Sequence, residues 1–280
     1  MSATGEIFKL LNPWQIPVNL WRQRGLIWQF TLREIHLRHR GSRLGIVWAL
    51  VNPLSMLALY YFVFGVLYDM KFGVIKTETN YDFALALFLG LSLFHVFSET
   101  LGWAPMVITG NPNFVKKVVF PLEVLPVAKI GDAAFHLSVG LILVLAGSAF
   151  GTTGLNWHVL FLPMLVLPLL LLALGLAWTL SAFGVFFRDI TQVMPFITTA
   201  ILFASAIFYP PAKIQAHPAA WEFLRFNPIL QIVDLARHVV LWHEPMAWTR
   251  LGYVYALAIT ALLAGNLCFG VLRRSFAEVI

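Results

Sequence analysis

Between Phe30 and Pro53 the chain reads FTLREIHLRHRGSRLGIVWALVNP, and this junction limits the fold more than any other stretch. Arg33, Arg38, Arg40 and Arg43 crowd its first half, and a long apolar run follows without a loop. Charge this dense does not enter hydrocarbon, and the following residues gain nothing from water, so a membrane surface passes near Leu44. Composition agrees: of 280 residues, 60% are hydrophobic and 11% charged. No water-soluble domain needs that much apolar surface. The chain is read as an all-α membrane protein.

Hydropathy predicts six transmembrane helices: Leu44–Tyr68, Phe83–Val107, Val124–Phe150, Leu160–Phe187, Ile190–Tyr209 and Leu251–Leu272. Each has about 20 residues or more, which at ~1.5 Å per residue covers a hydrocarbon core of about 30 Å. Pro163, Pro168 and Pro195 fall inside spans, where neighbouring groups can satisfy the freed carbonyls. Ahead of the spans, Leu26–Arg40 has a helical but not cleanly amphipathic pattern. It suits an N-terminal interfacial helix, and a solvated basic helix fits the same residues. Gly41 and Gly45 mark the bend into the membrane. The organisation expected is residues 1–43 as cytosolic N-terminus and interfacial helix, 44–272 as transmembrane domain, and 273–280 as cytosolic C-terminus. The polar or mixed N-terminus carries no cleavable signal peptide in this reading.

Charge sets orientation. With the N-terminus inside, the inner side collects Lys9, Arg22, Arg24, Arg33, Arg38, Arg40, Arg43, Lys116, Lys117, Arg188, Arg273 and Arg274. The outer side collects Lys71, Lys76, Lys213, Arg225, Arg237 and Arg250. Twice as many cations inside as outside places both termini in the cytosol. The net charge of +6 then reports topology and anionic lipid rather than nucleic-acid binding. The single cysteine, Cys268, excludes an internal disulfide and a Cys-rich metal site.

The long outer segment, 210–249, is oddly apolar. Pro210-Pro211 ends the fifth span, and Asn227-Pro228 breaks the segment in two. Its second half, Ile229–Trp242, is too short to span and carries Gln231, Asp234, Arg237 and His238 on one helical face. This reads as a re-entrant helical hairpin before the last span, its polar stripe facing a cavity or a partner chain. An amphipathic helix lying flat on the outer surface is the alternative. The inner loop, 108–123, reads as a short two-turn helix with Lys116 and Lys117, suited to docking a soluble partner or only to fixing topology. Inside the spans, His95 and Glu99 share a helical face, Lys129 and Asp132 lie three apart, and His136 sits a turn deeper; these are functional groups or structural pairs. Aromatics are dense at Trp48, Tyr60, Tyr61, Phe203, Phe208 and Tyr209, where rings can stack on sugars or anchor at the interface. No phosphate-binding G-x-x-x-x-G-K-[ST], H-E-x-x-H or G-x-S-x-G occurs, so neither nucleotide hydrolysis by that loop nor a metal is expected.

Four motifs in this order and spacing resemble the type-2 ATP-binding-cassette export permeases that move polysaccharides. They are Arg38-His39-x-x-Ser42-x-Leu44-Gly45-x-x-Trp48 with Pro53, FVKKVVFPLEVLP at Phe114–Pro126, Phe186-Phe187-Arg188-Asp189-Ile190, and Asn227-Pro228. The likeness covers nearly the whole chain; the Arg-Asp step is similar to O-antigen exporters, and His39 stands where many members have Tyr. The resemblance implies a homodimer in the plasma (bacterial inner) membrane, bound by two copies of a separate cytosolic ATPase that holds the ATP and Mg; no cofactor is expected in this chain. It implies a gate helix over Arg33, Arg38, Arg40 and Arg43, suited to a diphosphate-linked lipid. It implies ATPase coupling through Asn111, Phe114, Lys116, Lys117 and Phe120, a channel lined by the aromatics above, and closure of the outer end by the Gln231–His238 face. The expected role is the permease subunit of an exporter of lipid-linked polysaccharide, of O-antigen type, and not an enzyme. Capsule, teichoic-acid or drug export is the alternative within the family. Others are an intramembrane glycosyl- or acyl-transferase using His95, Glu99 or His136, and an ATPase-independent scramblase or channel.

Overall fold

The computed structural model describes residues 15–74, 77–116, 120–151 and 154–280, and every regular element among them is helical. Two helices, α1 (Gln15–Arg22) and α2 (Arg24–Arg38), precede the apolar part. A turn follows in which Gly41 and Gly45 adopt φ of +87° and +51°, a conformation open to residues lacking a Cβ. The chain then enters α3 (Trp48–Tyr60), which begins as a 3-10 turn at Gly45–Val47 and continues as a π-helix through Tyr61–Leu67. Five stretches are long and apolar enough to cross a membrane among the described residues. They contain α3, α4 (Asn80–Trp103), α6 (Val124–Ser148), α7 (Leu162–Phe186) and α12 (Trp248–Leu272).

The central element is α4. Thr79 and Asp82 form a reciprocal capping box that satisfies its first amides. From Phe83 to Gly90 every residue is buried, because α4 packs against α3, α6, α7 and further helices at once. The tightest pair is α7 with α12. A Cβ on Gly265 would fall on the Gly175 carbonyl oxygen, so the two backbones meet with nothing between them. Glycine at both positions is what lets apolar helices associate where no water drives them together.

The fifth predicted span is shorter than expected. Helix α8 (Ile190–Ala204) has 15 residues, about 22 Å, against a hydrocarbon core of about 30 Å. It stops five residues before Tyr209 because the backbone reverses at Ala206, φ +50°. Asn227 Nδ2 donates to the Ala204 carbonyl at 3.1 Å, and the Arg237 guanidinium donates to the carbonyls of Ala206 and Ile207 at 2.9 and 2.6 Å. These contacts take the carbonyls that a continuing helix would use itself.

After α8 come α9 (Pro211–Gln215), α10 (Pro218–Leu224) and α11 (Pro228–Val240). Each starts at a proline, whose missing N–H is no loss in a first turn. Asn227 caps α11 by accepting from the amides of Ile229 and Leu230. Helix α11 is buried on nearly every side and packs against α4, α7 and α12. It therefore does not lie flat on a surface. The last element is α13 (Phe276–Val279), whose Phe276 is fully buried against Phe186 and Phe269.

Candidate functional site

At the end of the bundle that carries the basic residues, α2 packs along α6. Thr31 and Ile35 are its buried contacts. A Cβ on Gly131 of α6 would come within 2.6 Å of Thr31 Oγ1, so this glycine lets α2 approach.

The arginines of this region divide into two kinds. Arg33 pairs with Glu34 at 2.7 Å and lies over the rings of Phe30 and Phe114, at 4.3 and 5.9 Å. Arg38 forks between Glu99 of α4 at 2.5 Å and Asp132 of α6 at 3.4 Å. Burial alone would lower the Arg38 pKa, but the two carboxylates raise it. Of the four arginines expected at a gate for a lipid phosphate, Arg33 and Arg38 thus already hold carboxylate partners within the chain. Arg40 and Arg43 are exposed and form no ion pair or side-chain hydrogen bond among the described residues.

The ionisable groups predicted inside the second and third spans belong to the same network. Lys129 Nζ reaches Glu34 at 2.8 Å. His95 Nε2 lies 3.0 Å from Glu99, and His136 Nε2 lies 3.4 Å from Asp132 without hydrogen-bond geometry. The His39 ring sits 5.5 Å from that of His136; burial, then His136 and Arg38, lower its pKa. A cavity of about 470 Å³ lies between these groups, bounded by Glu34, Arg38, Glu99, Trp103, Lys129 and Asp132. Glu34 was missed by sequence reading, although it stands four residues before Arg38 on one helical face. Burial raises its pKa, yet the hydrogen bonds from Lys129 and Arg33 hold it below the ordinary value.

The inner loop is bolted to α2. Five residues of its helix, α5 (Pro112–Lys116), lie among the described residues. The rings of Phe30, Phe114 and Phe120 form a triangle with centroids 5.5, 5.1 and 4.6 Å apart. Phe114 and Phe120 therefore face α2. Asn111 Nδ2 donates to the Val107 carbonyl, and Lys116 Nζ to the Ile280 carbonyl at 2.7 Å. Lys117, the remaining residue of that predicted set, lies outside the described residues. Glu123 ties the loop's far end to Arg273 at 3.0 Å and Gln23 at 3.4 Å. A larger cleft of about 740 Å³ lies beside the Arg188–Asp189 turn and Val279; those two residues are its charged lining.

The predicted aromatics are spread along the length of the bundle. Trp48 stays near the basic end, donating through Nε1 to Ser42 Oγ at 2.7 Å. Tyr60 and Tyr61 lie more than ten positions further along the helix. At the opposite end Phe208 sits between Phe64 and Phe203, at 6.2 and 6.1 Å, and the Tyr209 hydroxyl donates to the Phe203 carbonyl. Helices α3 and α8 are the least buried apolar helices of the bundle, with Ala49 and Met194 their buried residues.

The stripe Gln231, Asp234, Arg237 and His238 is corrected from a cavity- or partner-facing surface to an internal lock. Arg237, fully buried, adds the Ala86 carbonyl at 3.0 Å to the Ala206 and Ile207 carbonyls, and Gly90 opens the space for it. Gln231 donates to the Arg225 carbonyl and accepts from Arg250 at 2.5 Å, while Asp234 accepts from Arg250 at 2.6 Å. His238, half-buried, meets Glu244 at 2.5 Å. Arg250 and Glu244 complete the lock from separate segments, and no local spacing points to them.

Compared with known proteins, the family described as ABC-2 type transporter matches residues 25–241, from α2 to the end of α11. An O-antigen export system permease protein RfbA from Myxococcus xanthus is 31% identical over 264 residues, covering 93% of this chain and 97% of that protein. Another RfbA, from Klebsiella pneumoniae, is 23% identical over 258 residues, or 89% and 93% of the two chains. The polysialic acid transport protein KpsM of Escherichia coli is 26% identical over 239 residues, or 84% and 88%.

Proposed function

The chain belongs to the ABC-2 type transporter family, and from that membership we propose that it is the permease subunit of an ATP-driven exporter of lipid-linked polysaccharide, of O-antigen type. The basic end faces the cytosol of a bacterial inner membrane, and both termini lie there. The short α8 makes the sixth crossing, completed by the turn after Ala204, and the 210–249 segment re-enters from the outer side. Two copies pair, with α3 and α8, the least covered apolar helices, as the surfaces to be buried. A separate ATPase binds each copy from the cytosol and holds the ATP and Mg.

The observation that carries this reading is the bolt between α5 and α2. The Phe30–Phe114–Phe120 triangle and the Arg33 stack make the inner loop and the basic helix one mechanical body. An ATPase gripping α5 therefore moves the helix that leads to Arg40 and Arg43, whose guanidinium groups are left to meet a diphosphate. Arg38 joins that body to α4 and α6, so displacement is passed into the spans.

The test is co-purification with the ATPase encoded beside the gene, in lipid nanodiscs. A stable two-plus-two complex whose ATP turnover changes with a polyprenyl-diphosphate-linked glycan is expected; absence of a complex overturns the proposal. A capsule-type exporter is the second reading, favoured by the likeness to KpsM. Turnover that responds to an acidic glycan and not to a neutral one would select it.

A further inference from the structure

His95 has Glu99 as a polar partner at 3.0 Å, and that pairing does not account for its exposure. It sits on α4 eight residues before Trp103, about 12 Å along the helix from that end of an apolar span. Its side chain is nonetheless 56% exposed. An ionisable ring at that depth is costly against lipid tails and belongs beside water or a polar partner. It is not alone: Ser98, Glu99 and Trp103 lie on the same face of α4, at i+3, i+4 and i+8 from His95. The 470 Å³ cavity forms its basic-end mouth.

We propose that this face is the wall of a wet passage where the hydroxyl groups of the exported carbohydrate are bound as they leave the cytosol. This rests on the exporter reading above and adds the binding residues to it. The chemistry favours a neutral polyhydroxylated ligand over a diphosphate. The cations here, Arg38 and Lys129, are already paired with Glu99, Asp132 and Glu34, so no net positive field remains to hold an anion. What remains is hydrogen-bonding capacity. Asp132 Oδ1 and His136 Nε2 are buried and lie 3.4 Å apart, so they face each other behind this wall, and the capacity left for a ligand is on His95 and Ser98. His95 engages Glu99 through Nε2 and leaves its other nitrogen for a ligand. Trp103 supplies a ring at the mouth on which a sugar face can stack.

The test uses the permease–ATPase complex in nanodiscs, with Cys268→Ser to remove the native thiol, and His95→Cys or Ile259→Cys added singly. Ile259 is an exposed apolar position on α12. A charged methanethiosulfonate reagent reacts with the thiolate, which forms only where water reaches the sulfur. The expected result is full labelling of Cys at 95 and loss of labelling at 259. Adding polyprenyl diphosphate that carries a neutral oligosaccharide then suppresses labelling at 95, while the sugar-free carrier does not. Ser98→Cys, a nearly isosteric change on the same face, repeats the test should replacement of His95 impair assembly. Unlabelled thiols at 95 and 98 overturn the proposal, because lipid or a second copy then covers the face. Equal protection by the sugar-free carrier overturns it too, since the ligand is then the headgroup. A parent chain that forms no complex with the ATPase defeats the exporter reading separately, before any thiol is introduced.

Discussion

Arg237 is the most fully committed side chain in the molecule. It donates to three buried carbonyls, Ala86, Ala206 and Ile207, and among the described residues no carboxylate forms an ion pair with it. Leaving a buried polar group unsatisfied costs about 1–3 kcal/mol. Arg237→Met is therefore expected to lower the apparent melting temperature of the purified protein severely. Arg237→Lys should rescue little, because one ammonium cannot reproduce the planar fork. Arg43→Gln is the opposite case: no change in melting within about 0.5 kcal/mol, but a weaker response of ATP turnover to a diphosphate lipid. Glu34 adds a pH dependence. Its carboxyl titrates below its ordinary value of 4.5 in the folded protein, so its contribution is present above that value and is lost as pH falls through the lower folded one. The melting difference between the parent and Glu34→Gln should be open at neutral pH and close on acidification below the ordinary value of 4.5; a difference that widens there would show that Lys129 and Arg33 do not stabilise the carboxylate.

Elements carry the next level of consequence. The α5 helix is too short to be stable alone, and its place is held by rings from α2 and from its own loop. Each aromatic contact of this kind contributes about 0.5–1.5 kcal/mol. Phe114→Ala should leave the fold and the ATPase complex intact but separate ATP turnover from export, measured as glycan transported per ATP hydrolysed. Export at an unchanged ratio would mean that α5 and α2 do not move as one body. The early end of α8 has the same logic. Its hydropathy runs on to Tyr209, but hydropathy does not register a reversal imposed by Asn227 and Arg237 from more than twenty residues away.

For the whole molecule the decisive contact is α7 against α12, where the two helix backbones meet at Gly175 and Gly265. Two substitutions on α12 separate packing from propensity. Gly252 has open space around a Cβ, and Gly252→Ala should stabilise by about 0.5–1 kcal/mol through lost chain entropy. Gly265→Ala places its methyl on the Gly175 backbone and should abolish recovery of folded protein, as read by size-exclusion profile in detergent.

Some of this was legible without coordinates because it depends on local or additive properties. Hydropathy summed over about 20 residues locates apolar spans whatever they pack against, so the boundaries of α4, α6, α7 and α12 lay within a few residues of prediction. Gly41 and Gly45, the break at Asn227-Pro228, and the family motifs are likewise local. Partnership is not local. Arg38 and Arg40 are both arginines on one basic run, yet one is paired with Glu99 and Asp132 and the other has no ion pair among the described residues. The stripe on α11 had the right period, but its direction depended on which helices surround it, and three of its four residues turned inward. The sequence by itself determined a helical membrane protein and its family. Only the tertiary structure decided which charges are satisfied within the chain and which remain for a ligand, because that is set by residues distant in sequence brought within a few ångströms.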